Sequence, residues 1–210
     1  MIYAALHLCL SLPLQLAVVR EQPAIASAAN GDENGARKDE PPPATGTMIF
    51  VLLALVLSLA AGIGSIVVVH MLIFLQARGV DFAAAVALGT LFGPAQVGAR
   101  VIERVFGSRY HPIWTMIAAC ALMAAGLALL SGGFPFLALV ILIYGAGYGI
   151  SWVARGTLPL ALFGPAQFPV LMGKLAFPSL IVQALAPTAG ALLIEASSVN
   201  TAIGVLTGLQ

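Results

Sequence analysis

What the chain lacks narrows it first. Only 8% of its 210 residues are charged, against about a quarter in a globular protein, too few ionic side chains to coat a surface in water. The formal net charge is +1, which gives no footing for nucleic acid or another strongly charged partner. The two cysteines, Cys9 and Cys120, each lie in an apolar run, so neither a disulfide scaffold nor a zinc site is indicated. The sequence has no Gly-x-x-x-x-Gly-Lys-Ser/Thr loop, no His-Glu-x-x-His and no nucleophile elbow. An ATP-driven motor, an enzyme and a bound cofactor are therefore not expected. Asp81, Glu103 and Glu195 all fall near the ends of apolar segments, so paired intramembrane carboxylates are missing too.

What is present is apolar. Hydrophobic residues make up 60% of the chain and the mean hydropathy is +1.04. Most of the 22 glycines and 13 prolines sit inside apolar runs, where membrane helices tolerate them. Crossing roughly 30 Å of hydrocarbon takes about 20 helical residues. Five segments meet that demand: 48–76, 81–102, 112–130, 134–153 and 168–194. The expected fold class is an all-α integral membrane bundle, multi-pass, with the lipid bilayer as its first partner.

The amino-terminal region divides in two. Residues 1–19 form a sixth apolar stretch, just long enough to span and expected as a partial transmembrane helix. A secretory signal is the alternative there, but no Lys or Arg precedes the run, and His7, Ser11, Pro13 and Gln15 interrupt it. Residues 20–47 are polar and carry Pro41-Pro42-Pro43, the composition of a mobile linker outside the bilayer. At the other end, 199–210 is apolar but too short to cross, and reads as a truncated last helix.

Basic residues set topology, because Lys- and Arg-rich loops stay in the cytoplasm. Alternating the spans places Arg20, Arg37, Lys38, Arg100, Arg104, Arg109, Arg155 and Lys174 on one side and leaves Arg78 opposite. The linker is therefore expected to be cytoplasmic and the Gly132-Gly133 turn to face out.

Several side chains stand out against this background. Tyr144, Tyr148 and Trp152 recur every four residues and form one aromatic stripe on a helix. Such a face stacks on an organic ligand or holds a cation; interfacial anchoring by Trp152 with packed tyrosines is the bland alternative. Gln96 and Gln183 are neutral hydrogen-bonding groups deep in their segments, suited to orienting a ligand or bridging helices. His70 is, by its side-chain type, a candidate to carry a coupled proton, although a lone histidine is more often a hydrogen-bonded packing residue. Arg100 lies about a turn inside its helix end and is expected to snorkel or to pair with Glu103.

Backbone punctuation completes the inventory. Leu-Phe-Gly-Pro-Ala-Gln occurs twice, at 91–96 and 162–167, and each Gly-Pro pair predicts a kink or a broken turn. Gly89 and Gly93, Gly145 and Gly149, and Gly204 and Gly208 are each four apart, a spacing that lets helix backbones approach closely. Pro169, Pro178 and Pro187 recur every nine residues and predict bends along the last full span.

The stretch from Gly98 through Glu103-Arg104 to Gly107 and Arg109 resembles the cytoplasmic signature joining two helices in each half of a major facilitator superfamily transporter. The order matches, with each spacing stretched by one. Tyr144-Gly145-Ala146-Gly147-Tyr148-Gly149 followed by Arg155-Gly156-Thr157-Leu158-Pro159 is similar to the tenth helix of bacterial members and its cytoplasmic exit. Gly173-Lys174-Leu175-Ala176 resembles the turn entering the eleventh. On this mapping the chain covers the end of helix six to the beginning of helix twelve, a carboxy-terminal half.

The resemblance implies alternating-access transport of a small organic solute, with a cavity lined by Tyr144, Tyr148, Trp152, Gln96, Gln183 and His70. Arg100, Glu103, Arg104 and Arg155 would form a cytoplasmic gate. It also implies an amino-terminal half or a second copy to complete the carrier, and a cell-membrane location. A non-transporting membrane subunit that binds a partner through helix packing is the rival reading.

Overall fold

The computed structural model describes residues 44–210. The expected span at 1–19 and nearly all of the 20–47 linker lie outside the described residues.

Every regular element in this region is helical: α1 (Ala44–Gln76), α2 (Phe82–Gly89), α3 (Phe92–Phe106), a 3₁₀ turn at Gly107–Arg109, α4 (Pro112–Ser131), α5 (Leu137–Pro165), α6 (Gln167–Ala196) and α7 (Val199–Leu209). Five stretches are long and apolar enough to cross a membrane: Gly46–Gln76, Phe82–Phe106, Pro112–Ser131, Leu137–Pro165 and Gln167–Ala196. These are the five spans expected from the sequence, with shifted edges. α7 has 11 residues, about 16 Å of helix, and does not cross.

Helix starts follow from local chemistry. Asp81 caps α2 by accepting from the Ala84 amide at 3.0 Å, and His111 caps α4 with Pro112 at its first turn, where a proline removes no needed donor. Ser198 caps α7 by accepting from the Thr201 amide at 3.2 Å.

The spans run up and down. Gly64 of α1 meets Tyr148 of α5, and Leu57 meets Arg155, so those two helices are antiparallel. Gly62 and Ser65 meet Val182 and Gln183, and Ile66 meets Gly190, so α1 and α6 run parallel. Gly126 meets Tyr144, and Ala119 meets Gly147, setting α4 antiparallel to α5. Arg100, Arg104, Arg109 and Lys174 thereby fall at one end of the bundle, called the basic end below, with Arg78 at the other.

α5 is the hub, and its glycines explain why. A Cβ on Gly149 would lie 2.6 Å from the Gln96 carbonyl, one on Gly145 3.0 Å from Ala95, and one on Gly147 2.8 Å from the backbone of α4. Gly145 and Gly149 thus seat α3, as their spacing leads one to expect, and Gly147 seats α4. The other two pairs do not pack in this way. Gly93, Gly204 and Gly208 have nothing within 4 Å of the Cβ position, because those faces point away from neighbouring helices.

Two apolar cores result. One joins Val67, Phe74, Phe92, Met123, Leu127 and Tyr144 in the half away from the basic end. The other joins Leu53, Leu57, Met116, Ala154, Leu158 and Leu175 near it.

The two copies of the hexapeptide adopt different backbones. At Leu91–Gln96 the chain only pauses: Thr90 and Leu91 keep right-handed helical dihedrals, and Pro94 sits in the first turn of α3. At Leu162–Gln167 it breaks, with Gly164 at φ 75°, ψ 168°. Between Leu137 and Ala196 this is the single residue to leave helical geometry. Pro169, Pro178 and Pro187 remain in helical dihedrals throughout α6.

Candidate functional site

The α5 segment continues twelve residues beyond Val153, the expected end of that span, to Pro165. Nothing between them stops it: Thr157 satisfies its hydroxyl on the Val153 carbonyl at 3.1 Å, and the Arg155 charge finds partners on the bundle. The Arg155-Gly156-Thr157-Leu158-Pro159 stretch is therefore helix interior rather than an exit turn. Arg155 lies ten residues before Pro165, about 15 Å into the span.

There it is half-buried. Its Nη2 donates to the Leu57 carbonyl of α1 at 3.5 Å, and its guanidinium lies 4.6 Å from the ring centroid of Trp152, a cation–π distance. An arginine at the centre of a membrane helix costs about 2.5–3.5 kcal/mol on insertion scales, so a position this deep carries a functional expectation.

The aromatic stripe is real and graded. Tyr144 and Tyr148 stack with centroids 6.5 Å apart, and Tyr148 meets Trp152 edge-on at 6.2 Å. Phe92 of α3 packs on both tyrosines, at 6.3 and 5.5 Å. Tyr148 packs against Gly64 of α1, where a Cβ would lie 2.5 Å from its ring.

Exposure increases along the stripe, from 4% at Tyr144 to 41% at Trp152. Tyr144 belongs to the core, its hydroxyl buried without a partner. Trp152 is the open end. The stripe lies between α1, touched by Tyr148 and Arg155, and α3, touched by Gly145 and Gly149.

The remaining sequence-derived residues fall elsewhere. His70 is buried at the α1–α6 contact, its Nδ1 3.0 Å from the Ile66 carbonyl and its ring against Gly190 and Phe74. Gln183 contributes its backbone carbonyl, which accepts from Ser65 Oγ at 3.0 Å. Gln96 Oε1 accepts from Arg100 Nη2 at 3.3 Å, and Arg100 Nε donates to the Gly149 carbonyl at 3.1 Å.

Arg100 is thus held by α3 and α5. Glu103 instead accepts from Thr115 Oγ1 of α4 at 2.6 Å, and its carboxylate lies over Gly107 in the space a Cβ would need. Arg104 is exposed. Arg100, Glu103 and Arg104 do come together around one cleft of about 750 Å³ at the basic end, with Tyr110, Thr115, Val153 and Thr157 completing the wall.

Two places therefore emerge: the Tyr148–Trp152–Arg155 cluster in the middle of α5, and a polar cleft at the basic end. Sequence reasoning missed Phe92, Gly64 and Thr115, each of which fixes a candidate side chain. Gly64 stands in a Gly62-x-Gly64 pair that hints at close packing; Thr115 carries no sequence signal. Among the described residues no cluster of His, Cys, Asp and Glu is arranged to hold a metal ion.

No family model, no curated protein and no solved structure matches the chain.

Proposed function

We propose that the chain is part of a secondary transporter of the major facilitator type, residing in the cell membrane and moving a small organic solute by alternating access. It is not an enzyme in this reading. The observation that carries the proposal is the aromatic face of α5: Tyr148 and Trp152 lie at mid-depth beside α1 and α3, with Trp152 41% exposed. Secondary transporters place substrate near the bilayer midplane between helix bundles. A second bundle, from an amino-terminal half or another copy, completes the passage, and solute binds against the face that Trp152 leaves open. The cleft around Arg100, Glu103 and Arg104 serves as the cytoplasmic gate. If a proton is coupled, His70 is its candidate carrier on this chain.

A Trp152→Cys variant in a background without Cys9 and Cys120 tests the proposal in the cell's own membrane. A carrier exposes position 152 to a membrane-impermeant maleimide from both faces of the membrane, in right-side-out and inside-out vesicles. A packing subunit, the rival reading, keeps it shielded from both, because its partner seals that face. Labelling from neither side would overturn the proposal.

A further inference from the structure

The wall of the cleft at the basic end holds two arginines and one carboxylate. Arg100, Glu103 and Arg104 share one face of α3, since residues three and four apart are neighbours on a helix surface. The bonds they make go to neutral groups. Arg100 donates to the Gly149 carbonyl at 3.1 Å and to Gln96 Oε1 at 3.3 Å, and Glu103 accepts from the Thr115 hydroxyl at 2.6 Å. Arg104 is exposed. The wall therefore carries one positive charge in excess, around a space of about 750 Å³ between α3, α4 and α5.

A second hollow, of about 610 Å³, adjoins the first and shares Glu103, Gly107, Tyr110 and Thr115 with it. The rest of its lining is apolar: Phe106, Trp114 and Ala118. Phe106, Tyr110 and Trp114 are 58%, 66% and 61% exposed. Trp114 and Ala118 stand about one turn apart near the start of α4, so this wall leads from the helix end toward the membrane interior. Tyrosine and tryptophan at the end of a span mark the headgroup level of a bilayer. A cationic recess and an apolar one thus lie side by side at the depth where a phospholipid headgroup meets its chains.

We infer that the basic end holds one anionic phospholipid of the phosphatidylglycerol type. Its phosphodiester lies between Arg100 and Arg104, whose guanidinium forks suit phosphate oxygens, and one acyl chain lies along Phe106, Trp114 and Ala118. The single negative charge of the phosphodiester balances the excess of the wall. An ethanolamine headgroup would add an ammonium, and the one carboxylate in the wall, Glu103, is already engaged by Thr115. A dissolved phosphate would leave the apolar wall unfilled. Basic pockets between spans on the cytoplasmic side suit anionic headgroups, and the positive-inside rule directs this end to that side. The inference does not rest on the transporter reading, since it needs only that the basic end lie at a membrane surface.

Bromine on an acyl chain quenches tryptophan at close contact, so Trp114 itself reports occupancy. Trp152→Phe leaves Trp114 as the one indole of the chain. The full chain carrying that change is reconstituted in phosphatidylcholine vesicles. Brominated phosphatidylglycerol, phosphatidylethanolamine or phosphatidylcholine is then titrated in. The glycerol lipid is expected to reach half-maximal quenching at a mole fraction at least about tenfold below that of the choline lipid, the factor for one charge-assisted hydrogen bond. The ethanolamine lipid is expected to behave like the choline lipid. Arg104→Gln is expected to reduce the preference by about the same factor. Arg109→Gln, at the same end but not in the cleft wall, is expected to leave it in place.

The headgroup series needs no charge variant, and mass spectrometry of the unsubstituted chain released from detergent repeats it should Trp152→Phe fail to fold. Equal quenching by the glycerol and choline lipids overturns the proposal, as does an ethanolamine lipid as effective as the glycerol one. A loss with Arg109→Gln as large as with Arg104→Gln overturns it too, because surface potential alone then accounts for the preference. Displacement of the brominated glycerol lipid by dissolved glycerol phosphate at like concentration identifies a free-anion site and overturns the lipid. None of these outcomes bears on the labelling at position 152 that tests the transporter reading.

Discussion

At the scale of single residues, close helix approach is bought with absent side chains at α5. Gly149 has the Gln96 backbone 2.6 Å from where its Cβ would be, whereas Gly156, on the same helix, has nothing within 4 Å. The same substitution should therefore have opposite effects at the two positions. Gly149→Ala is expected to lower stability by about 1–3 kcal/mol, the range for overpacking, because the obstacle is backbone and cannot rotate away. Gly156→Ala is expected to raise it by up to about 1 kcal/mol through helix propensity. Thermal unfolding in detergent, read by circular dichroism, checks both. Equal melting temperatures for the two variants would contradict the packing assigned here.

The residue scale is also where sequence was least informative. The Tyr144, Tyr148 and Trp152 stripe was readable from spacing alone, since a four-residue recurrence puts side chains on one helix face. Its gradient from core to surface was not, because that depends on Phe92 and Gly64 arriving from other helices. The partner of Arg100 was equally hidden. Glu103 is close in sequence, yet Thr115 reaches the carboxylate first, and Gln96 and the Gly149 carbonyl hold the guanidinium.

At the scale of elements, one hexapeptide takes two conformations. Gly164 lies in a region of backbone space, φ 75° and ψ 168°, that is essentially reserved for glycine. Gly93 stays helical, with open space around its Cβ position. Gly164→Ala is expected to destabilise by about 1–3 kcal/mol, and Gly93→Ala to stabilise by up to about 1 kcal/mol. Melting temperatures of the two variants, measured side by side, decide the matter; a more stable Gly164→Ala would refute the break.

The five apolar spans were legible because lipid demands about 20 apolar residues from any crossing helix. The end of α5 was not. Arg155 looks like a boundary in a one-dimensional scan, and only the Trp152 ring and the Leu57 carbonyl show why the helix runs past it. The nine-residue proline series lies wholly within α6, with all three residues in helical dihedrals.

At the scale of the whole molecule, the alternation of five spans sorts the loops into two sets. Single cysteines at Arg109 and Lys174, placed in a chain without native cysteines, should react with an impermeant reagent from one face of the membrane. Cysteines at Gly79 and Gly133 should react from the other. The expected sides are cytoplasm for the first pair and exterior for the second, by the positive-inside rule. Any member labelling with the opposite set breaks the up-and-down order.

The joint at Gly164 has a further consequence for biogenesis. With a single residue outside helical geometry between Leu137 and Ala196, two crossings are joined without a loop. α5 and α6 are therefore expected to enter the bilayer as one helical hairpin, each arm long and apolar enough to span it.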